Sequence, residues 1–284
     1  MSSTLHSFYR TPKTYTQIPS RGVFYDQSVL EMITETQEIG IKAMTSQDEM
    51  LFKNPDALLN GDAVTNALKS CVSGLKDPKK LFSNDVDALI VAIRIASFGD
   101  DMDIKMQCPE CNEDNTFGFS LSNCLSTMKF IEDSYDVTLG NGLRVNIHPY
   151  YYSDTIKALL TTFEQSKLIR ALEDTDTSED EKLKVFSKSF NTLLNSNIDM
   201  MVNSINYVAH DENNIKVDNT PKNRKELVDF VKNIEKSDSD IIQEKIREIN
   251  SIGINKNTHA TCTKCKHEWD TTIEIDPVVF FSGS

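Results

Sequence analysis

Cys108-Pro109-Glu110-Cys111 and Cys262-Thr263-Lys264-Cys265 are the stretches that decide how this chain folds. Two Cys-x-x-Cys turns supply four thiolates, the full tetrahedral set that Zn²⁺ prefers, and a four-sulfur site keeps no open position for water or substrate. The expected role is therefore structural, with one Zn²⁺ per chain held by Cys108, Cys111, Cys262 and Cys265. Asn112, Thr263 and Lys264 are placed to support backbone bonds to sulfur. The spacing is unusual: paired knuckles ordinarily lie about 15–20 residues apart, and here residues 112–261 intervene. Loop entropy rises only as (3/2)RT ln n, so such an insertion costs about 1–2 kcal/mol more than a short one. Structural zinc binding is worth roughly 10 kcal/mol or more, which exceeds that cost.

The same pairs have other readings. Cys-x-x-Cys at a helix start is the thioredoxin arrangement, but both pairs here lie between strand-like segments, and neither has the aromatic-Cys-Gly-Pro-Cys pattern. They also read as knuckles that bind no metal, or as two separate sites of two ligands each. His259 and His267 flank the second knuckle; His267 is an alternative ligand, although four thiols leave it a supporting or surface role. Cys71 sits in an apolar helical stripe and reads as core. Cys124 falls in a predicted loop with no partner at ligand spacing.

Working outward from the first knuckle, Met102, Ile104 and Met106 alternate like a strand into it, and Phe117, Phe119 and Leu121 alternate out of it. Strand, knuckle, strand is half of a zinc ribbon, so residues 101–124 and 258–284 are expected to form one zinc-ribbon-like module. Residues 1–25 read as an extended arm, packed on its own body or on a neighbour, with a turn at Ile18-Pro19-Ser20-Arg21-Gly22. Residues 26–100 predict a mainly helical domain. It starts with a β-prone stretch at 39–43, followed by a helix capped by Thr45 or Ser46 with Asp48 or Glu49 returning the bond. A second helix opens at Asp62 with Val64, Leu68, Cys71, Val72 and Leu75 on one face, and a third runs over 84–97 with Asn84 as its cap.

Residues 125–257 read as an inserted region. A β-hairpin over 136–148 turns at Gly140-Asn141-Gly142. Helices are expected at 154–171 and 179–202, joined by an acidic solvated loop at 173–180. A second hairpin over 205–217 turns at 211–214, and helices at 221–235 and 238–250 follow, the last burying Ile241, Ile242, Ile246 and Ile249. The fold class is α+β: helical layers with short β-hairpins and a zinc-ribbon-like four-cysteine module split by a long insertion.

Charge restricts the function classes. With 43 acidic residues against 30 basic ones and a net charge of −13, nucleic acid is an unlikely partner, because phosphate neutralisation calls for Lys and Arg. An acidic surface favours solubility and pairing with basic protein patches. No apolar run approaches the ~18–20 residues of a membrane span, and the first 20 residues show no secretory pattern, so a cytosolic setting is expected. No G-x-S-x-G, phosphate-cradling glycine loop or H-E-x-x-H occurs, and the five histidines are scattered, so no catalytic residue is nominated.

Taken in order, several short motifs resemble the T4-like bacteriophage baseplate protein family. They are Ile18-Pro19-Ser20-Arg21-Gly22, Met44-Thr45 with Asp48-Glu49, and Asp87-Ala88-Leu89-Ile90 with Ile93-Arg94-Ile95 and Phe98-Gly99. Cys108-Pro109 with Cys111, His148-Pro149, and Asp276-Pro277 with Phe280-Phe281 complete the set. The resemblance is densest over residues 15–150 and fades from about 154 to 258. It implies a non-enzymatic component of the baseplate hub of a contractile tail, or a factor that assembles the hub. Such a protein works through contacts with other baseplate or hub proteins, or as a homo-oligomer, in the host cytoplasm during assembly or in the virion tail. Tyr15, Ile18, Phe24 and Tyr25 of the arm are its candidate contact residues, together with Phe280 and Phe281, which end the chain either tucked into the core or as a docking plug. The alternative function is a zinc-ribbon nucleic-acid-binding or transcription factor, against which the charge counts; a redox or metal-dependent enzyme is the third.

Overall fold

Hydrogen-bond chemistry at Thr45 starts the first helix. The Thr45 hydroxyl accepts from the Asp48 N–H while the Asp48 carboxylate accepts from the Thr45 N–H, a capping box that opens α1 (Ser46–Leu51). The computed structural model describes residues 9–31, 35–173 and 178–282. Part of the expected arm, residues 1–8, and the middle of the expected acidic loop, residues 174–177, lie outside them. Before α1, β1 (Thr14–Thr16) pairs antiparallel with β2 (Ile39–Ile41), which ties that part of the arm to its own chain. After α1, Asn54 caps and Pro55 begins α2 (Pro55–Leu59), a helix too short to show a sequence period.

α3 (Asp62–Cys71) and α4 (Ser83–Phe98) carry the apolar faces expected of them, with Leu68, Cys71, Leu89 and Ile93 fully buried. Asn84 is not the cap of α4. It lies inside the first turn, and its side-chain amide donates instead to the Ile252 carbonyl (2.7 Å). β3 (Asp101–Gln107) and β4 (Asp114–Ser120) form the first knuckle's hairpin. Ser120 then caps α5 (Leu121–Ser126), which puts Cys124 on a helix and not in the expected loop.

Contacts divide the chain into two compact units, Met1–Ile131 with Ile252–Ser284, and Glu132–Ser251. In the second unit β5 (Tyr135–Thr138) and β6 (Arg144–Ile147) form the expected hairpin, with Gly142 at φ +80° in the turn. Two long helices follow, α6 (Tyr152–Glu173) and α7 (Glu179–Asn203), packed along one another. β7 (Ile205–His210) and β8 (Ile215–Asp218) then join the first hairpin in a single antiparallel sheet of order β5-β6-β7-β8. α8 (Arg224–Asn233) and α9 (Lys236–Asn250) complete the unit, whose core gathers Val145, Ile147, Ile205, Leu227, Ile246 and Ile249. α9 starts two residues before the expected 238 and leaves Ile241 outside. Asp238 takes an inward position because its carboxylate accepts the Gly140 N–H (3.0 Å) at the β5–β6 turn.

Back in the first unit, β9 (Asn257–Thr261) and β10 (Glu268–Thr272) frame the second knuckle, and α10 (Pro277–Ser282) packs on α4. The turn at 18–22 sits where the chain leaves this unit and returns. The Pro19 carbonyl accepts the Ile131 N–H and the Gly253 carbonyl accepts the Lys129 N–H, both at 2.9 Å. Gly253 has φ +131°, and a Cβ there would stand 3.2 Å from Pro19 Cγ, so only glycine suits this crossing. Asp85, fully buried on α4, anchors the same turn: one oxygen accepts the Ser20 N–H (2.8 Å) and the other accepts the Tyr25 hydroxyl, which itself accepts the Phe82 N–H (2.8 Å).

Burial pushes the Asp85 carboxyl up to about 6, against the bonds from Ser20 and Tyr25. A carboxyl whose folded value is raised contributes stability that is complete below its unfolded value and lost as pH rises through the folded one. Asp85→Asn cannot ionise, so its stability relative to wild type should rise between about pH 4 and pH 6, by on the order of 3 kcal/mol. Denaturant melts of both proteins across that range check this, and a constant difference overturns it.

Candidate metal centre

Each knuckle is built by the same backbone pattern. In the first, the Cys108 carbonyl accepts the Asn112 N–H (2.9 Å) and the Cys108 N–H donates to the Glu113 carbonyl (2.9 Å). In the second, the Cys262 carbonyl accepts the Lys266 N–H (3.2 Å) and the Cys262 N–H donates to the His267 carbonyl (2.8 Å). Asn112 and Lys266, at equivalent places, both adopt left-handed conformations, with φ +54° and +62°. That reversal lets two cysteines three residues apart aim their sulfurs to one side of the hairpin. The two hairpins meet through Phe117 and Trp269, whose rings lie edge-to-face with centroids 5.9 Å apart.

The four sulfurs converge. Cys108 Sγ lies 3.6 Å from Cys265 Sγ, Cys111 Sγ lies 3.6 Å from Cys262 Sγ, and all four are within 4.8 Å of one another. A tetrahedral ion bonded to sulfur at about 2.3 Å sets its ligands about 3.8 Å apart, so the cluster has the size that one ion requires. The donor set is entirely thiol, and no carboxylate or histidine belongs to it. His267 stacks on Trp269, and His259 bonds through Nδ1 to Asp270 (2.9 Å), an exposed pair that raises its pKa.

Electrostatics favour a cation here. The N–H groups of Cys265 and Lys264 and the neighbouring thiols hold Cys262 down at about 6. Cys265 accepts the His267 N–H, which favours its thiolate, but desolvation and the three other sulfurs prevail and push it up to about 12. One negative charge settles easily among four touching sulfurs and further ones repel it; a bound divalent ion reverses that balance for all four.

Asn115, on β4 and 2% exposed, is the functional side chain that sequence reasoning missed. Its Oδ1 accepts both the N–H and the hydroxyl of Thr263, each at 2.8 Å, and its Nδ2 donates to the Glu113 carbonyl (2.8 Å) and approaches Cys262 Sγ (3.7 Å). One amide thus spans both knuckles and sets the orientation of a ligand. The available signal was an asparagine at an inward position of an alternating strand, in line with Phe117 and Phe119. Lys264 adds an exposed bridge to Glu113 (2.7 Å) across the same seam.

The other nominated residues scatter. Tyr15 and Phe24 are exposed, Tyr25 is half-buried against Asp85, and Ile18 lies fully inside. Phe280 and Phe281 are buried too, with Phe281 against Phe52 at 4.6 Å between ring centroids, so the apolar ending is tucked into the core and not presented as a plug. Arg10 reaches Ser70, Asp48 and the sulfur of Cys71, and burial pushes the Cys71 thiol up to about 11, an inert core position.

The family model for T4 bacteriophage base plate protein matches residues 26–281, from ahead of β2 through both knuckles into the closing helix. The chain belongs to that family. Membership identifies it as a phage baseplate component, one that meets other baseplate proteins. No curated protein and no solved structure matches the chain. Among the described residues of this baseplate protein, no helix is long and apolar enough to cross a membrane.

Asn115→Ala would leave the Thr263 donors and the Glu113 carbonyl without their buried partner. Equilibrium unfolding should show a loss of about 1–3 kcal/mol, whereas Thr116→Ala, on the exposed face of the same strand, should stay within ~0.5 kcal/mol. Equal effects would remove Asn115 from its bridging role.

Proposed function

We propose that the protein is a non-enzymatic component of the tail baseplate hub, or a factor that assembles the hub, stabilised by one structural Zn²⁺ and acting through contacts with other baseplate proteins. The observation that supports it most is the closed four-sulfur cluster inside a chain matched to the baseplate family over residues 26–281. With all four corners of a tetrahedron taken by protein sulfur, the ion has nowhere to bind water or substrate, so it contributes stability and not chemistry. Zn²⁺ suits the site because thiolates are soft ligands and four of them give the geometry it accepts without redox change. Assembly in a host cytoplasm fits free thiols, which a reducing compartment preserves for metal.

Inside the protein, Cys108 and Cys111 would hold the ion from the β3–β4 hairpin and Cys262 and Cys265 from the β9–β10 hairpin. The ion therefore joins segments on both sides of the second unit's sequence. This gives the metal a mechanical role, since it pins the returning chain to the part that precedes the insertion in sequence.

Metal analysis of the purified protein should find about one zinc per chain, and removal by chelator should lower the melting temperature steeply. A stable, metal-free protein would sink the zinc assignment. Mass spectrometry of isolated phage particles separates the two roles: presence in the finished tail supports a hub component, absence an assembly factor, and normal baseplates formed without the protein would overturn both.

A further inference from the structure

Within the second unit, α7, α8 and α9 border a groove of about 760 Å³, with Tyr150 also on its wall. Sites that hold ligands commonly enclose about 300–1,000 Å³ over an apolar floor. Met201, Val231 and Ile246 are buried and form such a floor here. At about 100° per residue, Ile198 and Met201 stand about 60° apart on α7, with Asn195 next to Ile198 on one side and Asn197 next to Met201 on the other. An apolar stripe is thus edged by two amides.

The charge of the lining has one sign. Lys232 on α8 and Arg247 on α9 line the groove, and among the described residues no Asp or Glu does, in a chain whose net charge is −13. Acids on the neighbouring turns are engaged elsewhere: Asp199 with Lys157 and Arg224, Asp240 with Lys236, Glu248 with Lys245, and Asp238 with the Gly140 N–H. Glu244 lies about 115° round α9 from the middle of the lining positions Ser239, Gln243, Ile246 and Arg247. Arg247 stands close enough to the half-buried Tyr150 phenol to oppose the rise in pKa that burial gives it.

Hydrogen-bonding capacity selects the shape of the occupant. Among the described residues, the side-chain heads of Lys232, Arg247, Asn195, Asn197 and Tyr150 make no hydrogen bond or ion pair with the protein. A helix arrives with its backbone already bonded to itself, so side-chain amides offer it little. An extended segment arrives with free N–H and C=O groups, and each Asn amide can answer one of each. Nucleic acid would meet two cations here and an acidic surface beyond them, which opposes a long polyanion but not a short acidic segment.

We propose that this groove binds an extended segment of another protein in which Asp or Glu alternates with apolar residues. The apolar side chains rest on Met201, Val231 and Ile246, the carboxylates pair with Lys232 and Arg247, and the segment's backbone bonds to Asn195 and Asn197. This rests on the preceding reading only in taking the protein to work through contacts.

The test uses the full chain, zinc-loaded, and two fluorescein-labelled peptides with blocked ends, Glu-Leu-Glu-Phe-Glu and the same sequence with Gln for every Glu. Fluorescence anisotropy should show the Glu peptide binding at least tenfold more tightly, with the preference shrinking as salt is added. Lys232→Gln with Arg247→Gln should weaken it at least tenfold, and Asn195→Ala with Asn197→Ala severalfold, with circular dichroism and zinc content unchanged. Lys184→Gln with Lys188→Gln, which removes two charges from α7 outside the groove, should leave binding unaltered. Equal binding of the two peptides, no binding, or equal losses from the two lysine-bearing double variants overturns the proposal. Tighter binding of a stapled helical peptide with the same Glu, Leu and Phe content also overturns it, as does a wild-type dimer that the Lys232 and Arg247 variant abolishes, which gives the groove to a second copy. Zinc content read on the same samples shows whether the metal assignment stands when docking fails.

Discussion

Two backbone hydrogen bonds, Lys129 N–H to the Gly253 carbonyl and Ile131 N–H to the Pro19 carbonyl, hold together the place where the chain departs for its second unit and where it comes back. Bringing such distant ends together costs entropy that grows only logarithmically with the intervening length, so the closure needs few interactions provided they are well placed. The molecule supplies them in one small volume: Gly253 allows Pro19 to approach, Asn84 takes the Ile252 carbonyl, and Asp85 fixes the turn on which Pro19 rides. A metal at the four cysteines would close the same chain a second time, further out along the sequence on both sides. Either closure shortens the loop the other must form, so each makes the other less costly.

Buried carboxylates perform much of the pinning in this acidic chain. Asp48 accepts from Thr45 and Ser70 and faces Arg10, Asp85 takes the Ser20 N–H, and Asp238 takes the Gly140 N–H. Each uses a short, rigid side chain to satisfy a loop N–H that would otherwise be buried without a partner, which is worth more than a surface ion pair. Asp87, half-buried on α4, is raised by desolvation and restrained by its bond to Lys256 (2.5 Å), just past the return point.

Features coded within a few neighbouring residues were legible in the sequence. The Thr45–Asp48 capping box, the turn at Gly140–Gly142 and the strands entering and leaving Cys108 and Cys111 depend on local geometry, and each forms where its pattern lies. Convergence of the two knuckles was legible as well, because four thiols at that spacing have few other chemical uses. What pattern reading missed depends on distant partners. Asn84 looks like a cap but answers Ile252, Asp238 looks like a solvated helix start but answers Gly140, and Asn115 looks like an ordinary strand residue until Thr263 arrives beside it. Two hairpins with helices between them in sequence joined one sheet, and no local signal distinguishes that from two separate hairpins.

The α6–α7 hairpin shows where the logic of stability gives way to that of contact. Ser189, fully buried, and Thr192 take inward positions on α7 beside the half-buried Val185 and Leu193. Phe163, Phe186 and Phe190 are left largely in solvent, where they contribute less to the isolated fold than a buried ring would and invite association. The knuckles and the buried carboxylates make the rest of the molecule secure without these side chains.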